Sequence, residues 1–408
     1  MSAAATLTHA RSPAIGQGSS ATRRAARLLS YEALEAVRDS WDDLFSRSAS
    51  AWAYLSPAWQ STFVNSGRLA GRPLAFTAWA GDTMVALFLV SVRTRAGTRF
   101  AEPVGTGQPS YLGVLHDRNY PEALRMLADL VARERPFDVL CLEDLSTDDE
   151  STLEFLSHLE DRHYRGHRAH RNLCRQIKLG CPYNDYLENH KSPRSRRRIR
   201  GKDRALCERY DVVVRQYRGP QITIDLLQRL AVIQNESWMK RRGAAVLEQP
   251  FYQDLLLNLA RADLARVWIM TLDGNDAAFV YMLVTRTMFV YTWPAFKLTY
   301  QSDAVGHVLL NRTIRDACGE GIAVYDFGHA DADYKRFWST DSHDVIRVIL
   351  GRGFRARLVA AAYGLAWSLG SNPRLKAHIR KVRDAMTCRS DSSPGVPHLD
   401  AINNTLRE

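Results

Sequence analysis

Tyr325–Trp338, YDFGHADADYKRFW, is the stretch on which the fold reading turns. It begins at the end of a short apolar segment, Ile322 to Asp326, which reads as a buried strand. Upstream, Ala304 to Glu320 reads as a helix closed by Gly319 and Gly321. A helix, a short strand and then a dense polar loop make up the end of an α/β unit. Ligands of open α/β sheets bind outside the carboxyl ends of strands, where Asp326, His329, Asp331, Tyr334, Lys335 and Arg336 would converge. The bland alternative is a capped turn, with Asp331 or Asp333 capping a helix and Phe337 and Trp338 packed inside.

Outward from that stretch, the second half of the chain reads as a strand at Asp211 to Tyr217 and helices at Ile224 to Arg241 and Pro250 to Arg261. Strands follow at Ala265 to Leu272, Ala277 to Thr285 and Met288 to Trp293, with a turn at Asp273-Gly274-Asn275. After the helix at Ala304 and the strand at Ile322 come a helix at Asp333 to Trp338 and a last strand at Asp344 to Leu350. The first half runs in a similar order. Tyr31 to Ser46 is an amphipathic helix, and Ser56 before Pro57 marks a helix start. Pro73 to Ala80 and Thr83 to Val92 form a hairpin about Gly81-Asp82. Gly105 to Gly113 is loop, Pro121 to Arg133 helix, Phe137 to Leu142 a buried strand and Asp149 to His163 helix, and Arg175 to Leu179 closes the unit. A repeated order at a spacing of about 180 residues predicts two similar domains, because solenoid repeats run only 20 to 50 residues. The boundaries expected are a disordered leader over 1–27, domains over 28–180 and 181–352, and a helical, partly disordered tail over 353–408.

Composition agrees with a globular α/β protein. The chain has 408 residues, 46% of them apolar and 24% charged, which excludes collagen-like, coiled-coil and wholly disordered classes. Six cysteines occur without a CxxC pair or a histidine partner at zinc spacing, so no metal is expected and a reduced, cytoplasmic setting is the simpler reading. Leu358 to Leu369 is too short to span a bilayer and suits a buried or interfacial helix, which leaves peripheral membrane contact open. The first 31 residues carry no acid and lack the apolar core of a secretory signal.

Fifty-five lysines and arginines against 44 acids leave a net charge of +11, and the excess is locally concentrated. Lys191 to Arg204, KSPRSRRRIRGKDR, contains Asp203 as its sole acid. Such a run either grips phosphates or forms a solvated helix start whose arginines surround the helix rather than share one face. No aromatic ladder adjoins it, which weakens a single-stranded nucleic-acid reading.

The order YDFG…DYKRFW, preceded by Val305-Gly306-His307-Val308-Leu309-Leu310 and Ala317-Cys318-Gly319-Glu320-Gly321, resembles the CelD-like, cellulose-biosynthesis-type acetyltransferases of the GNAT-related, FemAB-like group of N-acyltransferases. Asn235-Glu236-Ser237-Trp238, Cys181-Pro182-Tyr183 and the basic run extend the resemblance over Cys181 to about Trp338, while Ala304-Val305 departs from the family's Ser-Pro.

The resemblance implies a tandem GNAT-like α/β fold with a mixed sheet, in which two neighbouring parallel strands, Met288 to Trp293 and Ile322 to Asp326, splay apart to admit the pantetheine arm of an acyl-CoA. The donor pyrophosphate would sit at the helix N-terminus near Ala304, with Gly306 and His307 in its first turn. By the same resemblance Tyr334 is the proton donor to the departing thiolate and Asp326 the group that orients or deprotonates the amine, with helix capping its alternative role. His329 is a second candidate base. Lys335 either neutralises a donor or substrate phosphate or makes a weak surface ion pair. Trp293 and Trp238 line the acyl or acceptor pocket or serve as core, and Arg197 and Arg200 are candidate substrate contacts. The implied reaction moves an acyl group, acetyl in the simplest case, to a small amine or amino-sugar acceptor, as in exopolysaccharide or cellulose production. Two rivals stand beside it. One is a FemAB-like transferase that uses aminoacyl-tRNA; the other is a non-catalytic, polyanion-binding scaffold.

Overall fold

The computed structural model describes residues 24–48, 52–108 and 111–369. In chain order the first half comprises β1 (Arg24–Ser30), α1 (Tyr31–Glu35), α2 (Arg38–Arg47), α3 (Pro57–Asn65), β2 (Arg72–Ala80), β3 (Thr83–Arg95), β4 (Thr98–Pro103), β5 (Leu115–His116), α4 (Glu122–Glu134), β6 (Val139–Ser146), α5 (Glu150–Asp161) and β7 (Tyr164–Lys178). Two helices, α6 (Tyr183–His190) and α7 (Pro193–Arg209), lead into the second half. It continues with β8 (Val212–Arg218), α8 (Ile224–Asn235), α9 (Trp238–Arg241), α10 (Pro250–Arg261), β9 (Ala265–Leu272), β10 (Asn275–Val284), β11 (Met288–Phe296), α11 (Val305–Gly319), β12 (Val324–Asp326), α12 (Asp333–Trp338), β13 (Asp341–Arg352) and α13 (Phe354–Leu369).

All strands among the described residues belong to one mixed sheet ordered β1-β2-β3-β4-β6-β13-β7-β12-β11-β10-β9-β8, with β5 attached to β3. The α/β mixed-sheet expectation therefore holds, with one topological addition. β13, the last strand in sequence, lies between β6 and β7, and β7 in turn pairs with β12. Each half thus inserts a strand into the sheet of the other. Gly166 sits where this crossing is tightest: a Cβ there would lie 1.8 Å from the Ile349 carbonyl oxygen.

Local chemistry explains most elements. Ser56 accepts from the Trp59 amide and Pro57 occupies the first turn of α3. Ser192 and Pro193 start α7 in the same way. Leu124, Leu127 and Val131 give α4 an apolar stripe that packs, with α5, on Phe76, Phe88 and Leu140 of the sheet. On the other face a core shared by both halves gathers α1 to α3 with α8 and α10, and the rings of Phe63 and Phe251 meet there at 5.0 Å. α11 and the inner residues Ile199 and Leu206 of α7 cover the second half of the sheet.

Several expectations need correction. Arg24 to Arg27, assigned to the leader, begin β1 and pair with β2; residues 1–23 lie outside the described residues. The helix expected over Tyr31 to Ser46 breaks into α1 and α2 at Ala36-Val37, where Val37 leaves helical geometry. The one expected over Ile224 to Arg241 breaks at Glu236-Ser237, and the Ser237 hydroxyl caps α9. The strand expected over Arg175 to Leu179 is the end of a 15-residue strand, β7, which stops at Lys178. Its charged, half-exposed residues hid its length, because they gain β structure from neighbours on both sides and not from their own hydrophobicity. β11 runs through Pro294 to Phe296, still paired with β10. Of the tail expected over 353–408, α13 is described and residues 370–408 lie outside the described residues.

Candidate functional site

β11 and β12 are parallel and in register only at Met288–Val324, Phe289–Tyr325 and Val290–Asp326. Beyond that point the chain leaves β12 as a loop, while β11 continues to Phe296 paired on its other side with β10. The ladder thus opens from Tyr291 onward. The first half has a similar parallel contact between β4 and β6, limited to Phe100–Val139 and Ala101–Leu140.

α7, α11 and α12 line a cavity of about 220 Å³ with Arg198, Lys202, His307, Asn311, Tyr334 and Phe337 among its walls, and the Tyr334 ring lies 6.3 Å from that of Tyr291 at the opening. α11 enters it from Ala304, whose left-handed φ of 56° lets the chain turn sharply into the helix, with no side-chain cap on the first amides. No acid stands in that first turn. The corresponding helix of the first half, α4, instead carries Glu122 there, paired with Arg24. Anions therefore favour the α11 end. Desolvation at the cavity lowers the His307 pKa, and the positive charges of Lys202 and Arg198 lower it further. Arg198 lies 4.9 Å from the Phe337 ring centroid. Gly306 lies under Phe296, where a Cβ would approach the ring to 3.1 Å, so the ring accounts for the glycine directly.

Tyr334 forms part of the cavity wall, and burial pushes its pKa well up, so the phenol stays protonated at neutral pH. Its neighbour Lys335 is only 6% exposed and donates to the carbonyls of Phe327, at 2.8 Å, and His329. Lys335 is therefore not a surface lysine: its ammonium holds the loop after β12, and burial lowers its pKa to about 8. Lys191 does the same at the far end of α12, donating to the carbonyls of Phe337 and Trp338, with its pKa also lowered to about 8 by burial. Two buried ammonium groups thus brace the segment that carries Tyr334.

Asp326 is fully buried. One carboxylate oxygen accepts from the Tyr111 hydroxyl at 3.0 Å and from the Gly328 amide; the other has no hydrogen bond and lies 3.7 Å from His343 Nδ1. Desolvation raises its pKa, against the lowering influence of His343, the Gly328 amide, Tyr111 and Lys335. His329 stacks on Tyr111 at 5.3 Å, its Nδ1 3.6 Å from Asp144, and burial lowers its pKa to about 3. Both nitrogens of His343 lack hydrogen bonds, and its ring lies 5.3 Å from Tyr111. Trp52, 4.3 Å from Tyr111, completes the cluster.

Asp326, His329, Tyr334 and Lys335 are thus neighbours, but only Tyr334 faces the cavity. Trp293 is 8% exposed and packs against Tyr281 in the shared core. Trp238 stands on the short helix α9, half-buried, with Arg242 4.9 Å from its ring. Arg196, Arg197, Arg200 and Arg204 line one outer groove of α7 while Arg198 and Lys202 face the cavity. The arginines therefore occupy more than one face of the helix, as expected, and two different hollows receive them. Sequence reasoning missed Tyr111, Trp52 and His343. Only His343 left a signal: it alternates with Val345 on the buried face of its strand.

Residues 193–336 match the family described as Acetyltransferase (GNAT) domain. No curated protein sequence matches the chain. Among solved structures, FemX is similar with a TM-score of 0.56 at 11% identity, covering 75% of this chain and 95% of its own. The C-terminal domain of a putative lysylphosphatidylglycerol synthetase from Agrobacterium fabrum gives a TM-score of 0.49 at 13% identity, covering 80% of this chain and 95% of its own. A tandem GNAT protein from the clavulanic acid biosynthesis pathway gives 0.41 at 11% identity, covering 81% of this chain and 99% of its own. Residues 193–336 are thus similar to a GNAT-type acetyltransferase domain, and the mixed-sheet fold around them is similar to that of FemX.

Proposed function

We propose that the protein is an N-acyltransferase that takes an acyl group from acyl-CoA and transfers it to an amine. The observation that carries this reading is the cavity at the start of α11, basic through Arg198 and Lys202 and walled by Tyr334, whose ring lies 6.3 Å from that of Tyr291, where the β11–β12 ladder opens. The amides of α11 and the two cations suit a pyrophosphate, and the unpaired edge of β11 suits the amide-bearing pantetheine. The second half, about 181–352, is then the donor side, and the first half, 28–180, shapes the acceptor side. A small amine or amino sugar, in a polysaccharide-building context, is the acceptor that the CelD-like resemblance favours.

In the reaction the acceptor ammonium first loses a proton, and the free amine then attacks the thioester carbon. Collapse of the tetrahedral intermediate breaks the C–S bond. Tyr334 gives its proton to the thiolate and regains one from the amide nitrogen, so one proton in all is released to water. Asp326, sealed beneath Tyr111 and Gly328, orients this region by holding the loop after β12.

Acetyl-CoA is expected to raise the melting temperature of the full chain, and the R198Q/K202Q double variant to lose most of that rise. An equal rise in wild type and variant, or none in either, would remove the proposed donor site. A second reading draws support from Arg197, Arg200 and Arg204, which form no ion pair among the described residues. Stabilisation by aminoacyl-tRNA and not by acetyl-CoA would transfer the assignment to that donor.

A further inference from the structure

α13 presents small residues to the sheet and a stripe of large apolar ones to solvent. Ala356, Ala360 and Gly364, all small, face the sheet. Ala356 and Ala360 pack on Ile349, while the adjacent Val348 and Leu350 point into the opposite core. Gly364 lies so close to β7 that a Cβ would come within 2.6 Å of the His167 Cβ. Val359 and Trp367 also pack on that side, but three large apolar residues point the other way: Phe354 is 81% exposed, Leu358 56% and Leu365 61%. At about 100° per residue these three fall within roughly 40° of one another on the helix surface. Hydrophobic burial normally sorts residues in the reverse sense, so a stripe of this kind marks a surface that is covered in use.

Charge identifies the cover. No Asp or Glu occurs in α13, and Arg355 and Arg357 flank the apolar stripe on its two sides. Both arginines bond only main-chain carbonyls, Arg355 that of Ala96 and Arg357 that of His163, and neither forms an ion pair among the described residues. An apolar stripe between cations complements the interface of an anionic bilayer, where acyl chains take the side chains and phosphates meet the guanidinium groups. The helix has 16 residues, and no helix among the described residues is long and apolar enough to cross a membrane. It would lie along the surface instead.

We propose that the outer face of α13 seats the protein on anionic phospholipid membranes. The test is co-sedimentation of the full chain with vesicles of phosphatidylcholine alone and of phosphatidylcholine with phosphatidylglycerol. Wild type should bind the anionic vesicles about tenfold more tightly than the neutral ones, and F354S/L358S/L365S should lose about tenfold or more of that binding while keeping its melting temperature. R355Q/R357Q should remove the preference for anionic lipid. Failure of wild type to bind either vesicle, or equal binding by the triple serine variant, would overturn the proposal. So would a wild-type dimer in sedimentation that the serine variant dissolves, because a second copy would then be the cover. Acetyl-CoA binding by the same variants reads the donor site separately.

Discussion

The Tyr111 hydroxyl donates to Asp326 at 3.0 Å across 215 residues of chain, joining the loop after β4 to the end of β12. Both groups are buried, so the bond forms in a low-dielectric setting where an unpaired partner is costly. His343, from a strand that crosses between the halves, stands on the other carboxylate oxygen. The polar centre of the molecule therefore draws on both halves.

Removing one partner of this bond should destabilise the protein. Tyr111→Phe is expected to cost about 1–3 kcal/mol in urea unfolding, with Asp326→Asn similar. The double variant should lose less than the sum of the two, since they share one interaction. Strict additivity would show that the bond does not couple the segments.

The brace at Lys335 carries a pH signature. Its folded pKa of about 8 lies below the unfolded value of 10.5, so between these pH values the unfolded chain binds more protons. The contribution of Lys335 to stability therefore rises as pH increases through that window. Relative to Lys335→Met, wild type should gain about 1.4 kcal/mol per pH unit at most. Melting temperatures of both proteins from pH 7 to 10 check the sign; a constant difference would contradict it.

His329 titrates in the opposite range with the same sense. Its folded pKa of about 3 against 6.5 unfolded means that the unfolded state takes up the proton first as pH falls. Stability should decline from pH 6.5 toward 3, and His329→Asn should flatten that decline. Acid unfolding curves that superimpose for the two proteins would show that the imidazole is not held neutral.

At the cavity, Tyr334→Phe should leave acetyl-CoA affinity within about twofold and lower the rate of thiol release by roughly a hundredfold or more with any amine accepted by wild type. Calorimetry and a thiol assay separate the two effects. Unchanged turnover would remove Tyr334 from the chemistry.

Much of the local structure was legible. α10 occupies the range that Pro250 and the apolar spacing indicate, and the hairpin turns at Gly81-Asp82 as that pair requires. Tyr334 and the start of α11 could be placed together because both lie in one continuous stretch of chain. Lys335 could not: a lysine between Tyr334 and Arg336 reads as a surface residue until the loop carbonyls that surround its ammonium are known.

The sequence by itself determined α3, α10, α11 and the β2–β3 hairpin, since caps, turns and periodicity act over a few residues and need no distant partner, whereas β1 and most of β7 are strands only beside their partners. It also marked the basic run and the polar loop after β12 as chemically special. Only the tertiary structure decided that β13 threads between β6 and β7, that His343 and Tyr111 meet Asp326, and that the arginines of α7 divide between a cavity and an outer groove. Sheet order and side-chain convergence arise from contacts between segments far apart in the chain, and no local preference encodes them.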